Sequence, residues 1–80
     1  MKKQIHIGEL IREKLDEKGQ SVAWLAKKVG SDRSNFYRIL KRKHIDTQLL
    51  WNISIALDFN FFACYNEFFH QIETKERVVD

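Results

Sequence analysis

The sequence predicts an all-α domain, a compact bundle of about five short helices. Proline is absent and glycine occurs only three times in 80 residues, so few positions interrupt a helix. Apolar residues recur three and four positions apart, and no stretch sustains the period-two alternation of a half-buried strand. A hydrophobic content of 44% with 31% charged residues is typical of a globular chain. We therefore assign residues 1–72 to one domain and residues 73–80 to a polar C-terminal tail.

The first two helices are predicted over about residues 7–18 and 21–30. Gly19 is expected to end the first helix, and Ser21 can cap the second because its hydroxyl accepts from a free backbone N–H. Trp24 lies off the apolar stripe of the second helix, so we expect it to be partly exposed. The two stripes comprise Ile7, Leu10, Ile11 and Leu15, and Val22, Leu25, Ala26 and Val29.

A turn at Val29-Gly30-Ser31 separates the second helix from a third, predicted over residues 32–41. Gly30 can adopt the positive φ that ends a helix, and Ser31 or Asp32 can cap the helix that follows. Two short helices joined by a tight glycine-containing turn predict a helix-turn-helix. The third helix is expected to bury Phe36, Ile39 and Leu40 and to expose Asp32, Arg33, Ser34, Tyr37, Arg38 and Lys41.

Positive charge is concentrated on this segment of a chain whose net charge is +3. Seven of the 14 Lys and Arg residues lie between positions 27 and 44, against one acidic residue, Asp32. Such a cluster is the electrostatic footprint expected of a nucleic-acid-binding surface. The run Lys41–Lys43 suits sequence-independent contacts to phosphate. The seven residues are Lys27, Lys28, Arg33, Arg38, Lys41, Arg42 and Lys43.

A fourth helix is predicted over residues 47–57, with Asp46 as its N-cap. Ile45 and Leu50 stand at the two positions of a hydrophobic staple. The helix is expected to close the core against the first and third helices, with Trp51 at the edge of its apolar face. That face comprises Leu49, Leu50, Ile53, Ala56 and Leu57.

The fifth helix, predicted over residues 61–72 behind a capping Asn60, is unusually aromatic. Its apolar residues are Phe61, Phe62, Tyr65, Phe68, Phe69 and Ile72. A domain of this size has a small core. Two interpretations therefore stay open: these side chains complete the core, or they form a surface for a second copy or for a partner protein.

The segment SVAWLAKKVGSDRSNFYRILKRK resembles the two-helix signature of the lambda-repressor-like (Xre-type) helix-turn-helix DNA-binding domains. The likeness covers about residues 7–65, and its hydrophobic, small and turn positions match Leu25, Ala26, Val29, Gly30, Phe36 and Ile39. The resemblance implies base reading by Asp32, Arg33, Ser34 and, one turn further on, Arg38. It implies phosphate contacts by Ser21, Asn35, Lys41 and Lys43, to which we add Lys28, Tyr37 and Arg42. Asp32 has a second interpretation, a first-turn carboxylate favoured by the helix dipole.

The chain departs from the family pattern at three places. Val22 stands where many members have a glutamine that supports a base-contacting side chain. Leu15 and Leu40 stand where the family often pairs opposite charges, so an apolar contact replaces an ion pair. Arg42 replaces the usual glycine after the third helix, which leaves the path of that loop open.

The resemblance implies a regulator of transcription, a repressor, that binds double-stranded DNA sequence-specifically with the third helix in the major groove. One such helix reads only a few base pairs, so a homodimer on a pseudo-palindromic site is expected. The alternative is an antitoxin-type or other protein-interaction module. In that case the aromatic fifth helix would bind a partner such as a toxin.

No enzymatic activity, cofactor or metal is expected. His6, His44, His70 and Cys64 are not spaced as pairs of metal ligands, and no catalytic motif is present. The single cysteine excludes an internal disulfide framework. Neither the apolar segment of a signal peptide nor a membrane-spanning run occurs. These features predict a cytoplasmic, nucleoid-associated protein without membrane contact.

Overall fold

The computed structural model describes residues 4–72, with side chains as far as position 71. Within that range, helices are the only regular secondary structure, and turns and loops join them. The five elements are α1 (Ile7–Glu17), α2 (Val22–Lys28), α3 (Arg33–Ile39), α4 (Thr47–Leu57) and α5 (Phe62–Ile72). The predicted all-α architecture is confirmed. The predicted tail, residues 73–80, lies outside the described part of the chain. Among the described helices, none combines the length and apolarity needed to cross a membrane.

One hydrophobic core unites the helices. Leu15 of α1 and Leu40 at the end of α3, predicted to replace an ion pair, are both buried in it. Phe36 and Phe61 are the largest fully buried side chains. Within residues 4–71 the buried apolar set is Ile7, Ile11, Leu15, Leu25, Ala26, Phe36, Ile39, Leu40, Leu50, Ile53, Leu57 and Phe61.

The turn between α2 and α3 has the geometry that the sequence predicts. Gly30 has a φ of +74°, in the left-handed region that glycine enters without steric cost. The Ser31 N–H donates to the Ala26 carbonyl at 2.8 Å, and the Gly30 N–H donates to the Lys27 carbonyl at 3.2 Å. This pair of bonds is a Schellman motif, which satisfies carbonyls left free at a helix end. Gly19 ends α1 in the same way.

The predicted N-caps are confirmed. The side chains of Ser21, Asp32 and Asp46 each accept from a backbone N–H three residues on, as N-cap oxygens do. Asn60 Oδ1 accepts from the Phe62 N–H at 3.0 Å before α5. Each of these four caps acts within three residues of its own position, so its place could be predicted without knowledge of the tertiary fold.

The start of α1 is held by contacts that the sequence did not reveal. His6 caps the helix, since its Nδ1 accepts from the Glu9 N–H at 3.1 Å. The next two free donors bond to the loop after α3: the Ile7 N–H to the Lys43 carbonyl and the Gly8 N–H to the Arg42 carbonyl, both at 3.1 Å. The path of that loop is thus set by its docking on α1.

Gly8 allows this docking. A Cβ atom at position 8 would overlap the Leu40 carbonyl and would lie 2.9 Å from the Arg42 carbonyl oxygen. Backbone atoms cannot swing aside as a side chain can. Position 8 is therefore restricted to glycine by contact with the loop, although it lies inside a helix.

The packing of α4 differs from the prediction. Its buried face joins the common core as expected, but the helix backbone runs closest to α2 rather than to α1 or α3. Asp58 ends α4 in the left-handed region, with a φ of 52°. The buried Ser54 hydroxyl then accepts from the Phe61 N–H at 3.4 Å, which links α4 to the start of α5.

Replacing Gly8 with alanine should destabilise the protein by about 2–3 kcal/mol, because the new methyl group meets backbone atoms that must shift. Helix propensity alone predicts the opposite sign, a gain of roughly 0.5–1 kcal/mol. Urea unfolding followed by circular dichroism measures the change in the free energy of unfolding.

Gly19→Ala is the control for backbone strain without collision. No atom lies within 4 Å of its Cβ position, but its φ of +68° should cost alanine about 1–2 kcal/mol. A Gly8→Ala protein as stable as the wild type would show that α1 does not rest on the loop after α3.

Candidate nucleic-acid interface

The segment formed by α2, the Gly30 turn and α3 presents the candidate site. The two helices lie close together, and Ala26, a member of the apolar stripe of α2, is buried. A small side chain there allows the close approach of the two backbones. Phe36, Ile39 and Leu40 anchor α3 in the core, as predicted. The opposite side of α3 is left facing solvent.

The exposed side of α3 carries the predicted base-reading residues. Arg33, Ser34 and Arg38 are all exposed. Ser34 and Arg38 are four positions apart and therefore neighbours on the helix surface, with Arg33 beside Ser34 at the start of the helix. Tyr37 and Asn35, two of the predicted phosphate-contacting residues, are also exposed. The structure brings these side chains together on one short helix.

Asp32 has a structural role at this helix. Its Oδ2 accepts from the Asn35 N–H at 3.1 Å and caps α3. The capping interpretation of Asp32 is thereby confirmed. The carboxylate is exposed, and its Oδ1 has no hydrogen bond within the described chain, so base reading by Asp32 stays a prediction.

The basic loop, residues 41–43, extends the site beyond α3. Its side chains, Lys41, Arg42 and Lys43, are all exposed. The carbonyls of the last two accept from backbone N–H groups at the N-terminus of α1, so the backbone of the loop is held while its charged side chains stay exposed. His44, next in the chain, is exposed as well.

The positive charge of this surface is not neutralised by internal pairing. Over the described residues, the ion pair that forms is Lys14 to Glu17 at 2.8 Å, on α1. None of the basic side chains of α3 or the basic loop lies within 4 Å of a described carboxylate. Exposed guanidinium and ammonium groups that are not paired within the protein attract anions.

Two further predicted phosphate contacts lie on α2. Ser21 is exposed, and its hydroxyl caps α2 while keeping a proton to donate. The Lys28 ammonium lies 5.6 Å from the centre of the Trp24 ring, a cation–π distance. Trp24 is half-buried, which agrees with the predicted partial exposure.

The aromatic residues near α5 divide between core and surface. Phe61 is fully buried and packs edge-to-face on Phe59 at 4.8 Å, so it belongs to the core and cannot form a docking surface. Phe62 and Phe68 are half-buried. Tyr65 and Phe69 are 36% and 45% exposed.

Two neighbouring groups on α5, a thiol and a phenol, have a raised pKa. Burial raises the pKa of the Cys64 thiol above its ordinary value, and the nearby Glu67 carboxylate adds to the rise. Burial likewise raises the pKa of the Tyr65 hydroxyl. Both groups are therefore neutral at physiological pH. The side chain of Ile72, the last member of the predicted aromatic face, lies outside the described set.

Sequence reasoning missed the most exposed apolar side chains of the structure. Trp51 and Ile55 of α4 are 56% and 64% exposed. Trp51 was expected only at the edge of the apolar face, and Ile55 was not singled out. A usable signal was present, because the two residues are four positions apart on a helix that contains no charged residue.

Residues 4–72 contain no cluster of three or more His, Cys, Asp or Glu side chains that could hold a metal ion. Comparison with protein-family models, curated proteins and solved structures finds no match to the chain.

The capping role of Asp32 predicts different stabilities for two variants. Asp32→Ala should lower the free energy of unfolding by about 1 kcal/mol, whereas Asp32→Asn should change it by only a few tenths, because asparagine caps about as well as aspartate. Urea unfolding measures both. Equal losses would show that the charge, rather than the capping oxygen, stabilises α3.

Proposed function

We propose that the protein is a sequence-specific double-stranded DNA-binding regulator of transcription, a repressor with a lambda-repressor-like helix-turn-helix. The observation that supports this most strongly is that the exposed polar face of α3 is followed directly by an exposed basic loop with no described carboxylate within 4 Å of its side chains. Occupying an operator suffices for repression and needs no further activity. A cytoplasmic, nucleoid-associated location follows from this role.

In this proposal α3 enters the major groove, which is wide enough to admit a helix. Arg33 and Arg38 can each bond bidentately to a guanine edge, and Ser34 can donate to or accept from a base. Asp32 keeps one free carboxylate oxygen that can accept from cytosine N4 while the other caps the helix.

Contacts to the DNA backbone hold α3 in register. The basic loop supplies sequence-independent affinity, since each phosphate that it neutralises releases a counterion. Its fixed backbone lowers the conformational entropy lost when the side chains reach the phosphates. The further phosphate contacts come from Ser21, Lys28, Asn35 and Tyr37.

The proposed binding unit is a homodimer. α3 has seven residues, a length of about 10 Å at 1.5 Å per residue, so it spans only a few base pairs. Specific recognition then needs two half-sites, and a two-fold dimer matches two half-sites about one helical turn apart, ~34 Å.

Two substitutions separate base reading from phosphate contact. Arg33→Ala should cost roughly 1–3 kcal/mol of binding free energy on the preferred sequence and relax the preference at one base pair. Lys43→Ala should weaken binding to all duplexes alike and reduce the salt slope by about one. Selection from a randomised duplex library yields the site, and fluorescence anisotropy from about 50 to 200 mM salt measures affinity on it and on scrambled DNA.

Lys18→Ala is the matched control. Lys18 is exposed at the C-terminal end of α1, whereas the basic loop contacts the N-terminal end, so this substitution should leave DNA binding unchanged. Enrichment of no sequence, together with weak binding at low salt, would rule out the proposal. Equal and sequence-independent losses from both variants would reduce Arg33 to a phosphate contact.

A second candidate function, an antitoxin-type or other protein-interaction module, is favoured by the exposed Tyr65 and Phe69 of α5. An apolar interface of this kind loses little affinity with salt, unlike binding to DNA. Under this alternative, Phe69→Lys should abolish association with a partner protein and leave DNA binding intact. Pull-down of co-expressed proteins at 0.05 and 0.5 M salt, compared between the wild type and this variant, measures the effect.

A further inference from the structure

Tyr37 contributes an exposed aromatic ring to the candidate interface. Its side chain is 38% exposed. Phe36, the other aromatic residue of α3, is fully buried in the core. Tyr37 is therefore the aromatic side chain that α3 presents to solvent. The other exposed large apolar side chains among residues 4–71 lie on α4 and α5: Trp51, Ile55, Tyr65 and Phe69.

No described residue engages the polar or aromatic groups of Tyr37. Within residues 4–71 its hydroxyl takes part in no hydrogen bond, and its ring neither stacks on another aromatic ring nor contacts a cation. Other rings of the protein have such partners: the Lys28 ammonium lies 5.6 Å from the centre of the Trp24 ring, and the Lys14 ammonium lies 4.0 Å from that of Phe59. The ring and the hydroxyl of Tyr37 are thus available to a ligand.

Helical geometry places Tyr37 beside the proposed base-reading residues. Successive residues of an α-helix are about 100° apart, so Tyr37 lies about 40° from Arg33 and about 60° from Ser34 around the helix axis. Residues at these spacings, four and three positions apart, are neighbours on the helix surface. Asn35 lies about 160° away, on the other flank of α3. Tyr37 therefore shares a surface with two residues to which we assign base reading, and not with Asn35, to which we assign a phosphate contact.

The remaining exposed side chains of α3 recognise hydrogen-bonding groups. They are Arg33, Ser34, Asn35 and Arg38, each of which donates or accepts hydrogen bonds. In the major groove, thymine presents one acceptor, O4, and one apolar group, the C5 methyl. Apolar side chains, the phenyl ring among them, make contact with that methyl group. Of the exposed residues of α3, Tyr37 is the one whose chemistry suits this contact.

We propose that Tyr37 is a specificity-determining residue, whose ring packs against the C5 methyl group of a thymine in the major groove. The inference rests on the proposed function, since it requires α3 to lie in the groove of double-stranded DNA. The phenolic hydroxyl is at the far end of the ring, so it stays able to bond to a phosphate, as in the proposed function. The ring then carries sequence information, whereas the hydroxyl carries none.

This contact adds a thymine to each half-site. Arg33 and Arg38 favour guanine, and Ser34 accepts several bases, so none of the three selects thymine. The methyl group distinguishes thymine from cytosine, which lacks it. Burial of one methyl group corresponds to about fourfold in affinity. The half-site is therefore expected to contain a thymine whose methyl group contributes about that factor.

Deoxyuridine in place of thymine tests the contact, because uracil pairs with adenine as thymine does and lacks only the methyl group. Selection with the full chain yields the preferred duplex, and each thymine is then replaced in both half-sites. Fluorescence anisotropy should show that one replacement weakens binding of the wild type about fourfold per half-site. Tyr37→Phe should show the same loss at the same thymine. Tyr37→Ala should bind the thymine and deoxyuridine duplexes equally at that position.

The two variants separate the ring from the hydroxyl. Both lack the hydroxyl, so a bond from it to phosphate is lost equally in both, and the difference between them measures the ring alone. Tyr37 is exposed, so both variants should keep the circular dichroism spectrum of the wild type. If Tyr37→Phe and Tyr37→Ala have equal affinities on every duplex, the ring makes no base contact and the inference is wrong.

The remaining outcomes distinguish this inference from the proposed function. The role of Tyr37 is overturned, and sequence-specific DNA binding stands, in any of three cases: the selected site contains no thymine, no deoxyuridine replacement weakens binding, or the loss persists in Tyr37→Ala. Selection that enriches no duplex overturns the proposed function itself.

Discussion

The candidate site depends on two backbone hydrogen bonds that join the N-terminus of α1 to the basic loop. The donors of Ile7 and Gly8 would otherwise be unsatisfied at a helix start, and the carbonyls of Arg42 and Lys43 would be free in a loop. By bonding to each other, they stabilise the helix and fix the loop in one step. Since the bonds use only backbone atoms, the charged side chains of the loop stay available to a ligand.

A second constraint orients α3 relative to that loop. The Gly30 turn ends α2 and starts α3 within a few residues, and the buried Phe36 holds α3 against the core. Once one side of a two-turn helix is anchored, its other side has no freedom to turn inward. The exposure of Arg33 and Arg38 is thus a consequence of the packing of Phe36 and not of their own interactions.

Exposed apolar side chains occur on both α4 and α5. Phe61 is buried in the core, and its backbone N–H donates to the Ser54 hydroxyl, which links the start of α5 to α4. The later aromatic residues of α5 are only partly covered. Trp51 and Ile55 are exposed, whereas Leu50, Ile53 and Leu57 of the same helix are buried in the core.

The sequence by itself determined the helices, the caps of α2 to α5 and the Gly30 turn, because each depends on interactions within a few positions along the chain. The tertiary structure alone decided the path of the loop at Arg42, the need for glycine at position 8 and the burial of Phe61. Those outcomes depend on contacts between segments far apart in the sequence. Periodicity tells which face of a helix is apolar, but only packing shows how much of that face the rest of the chain can cover.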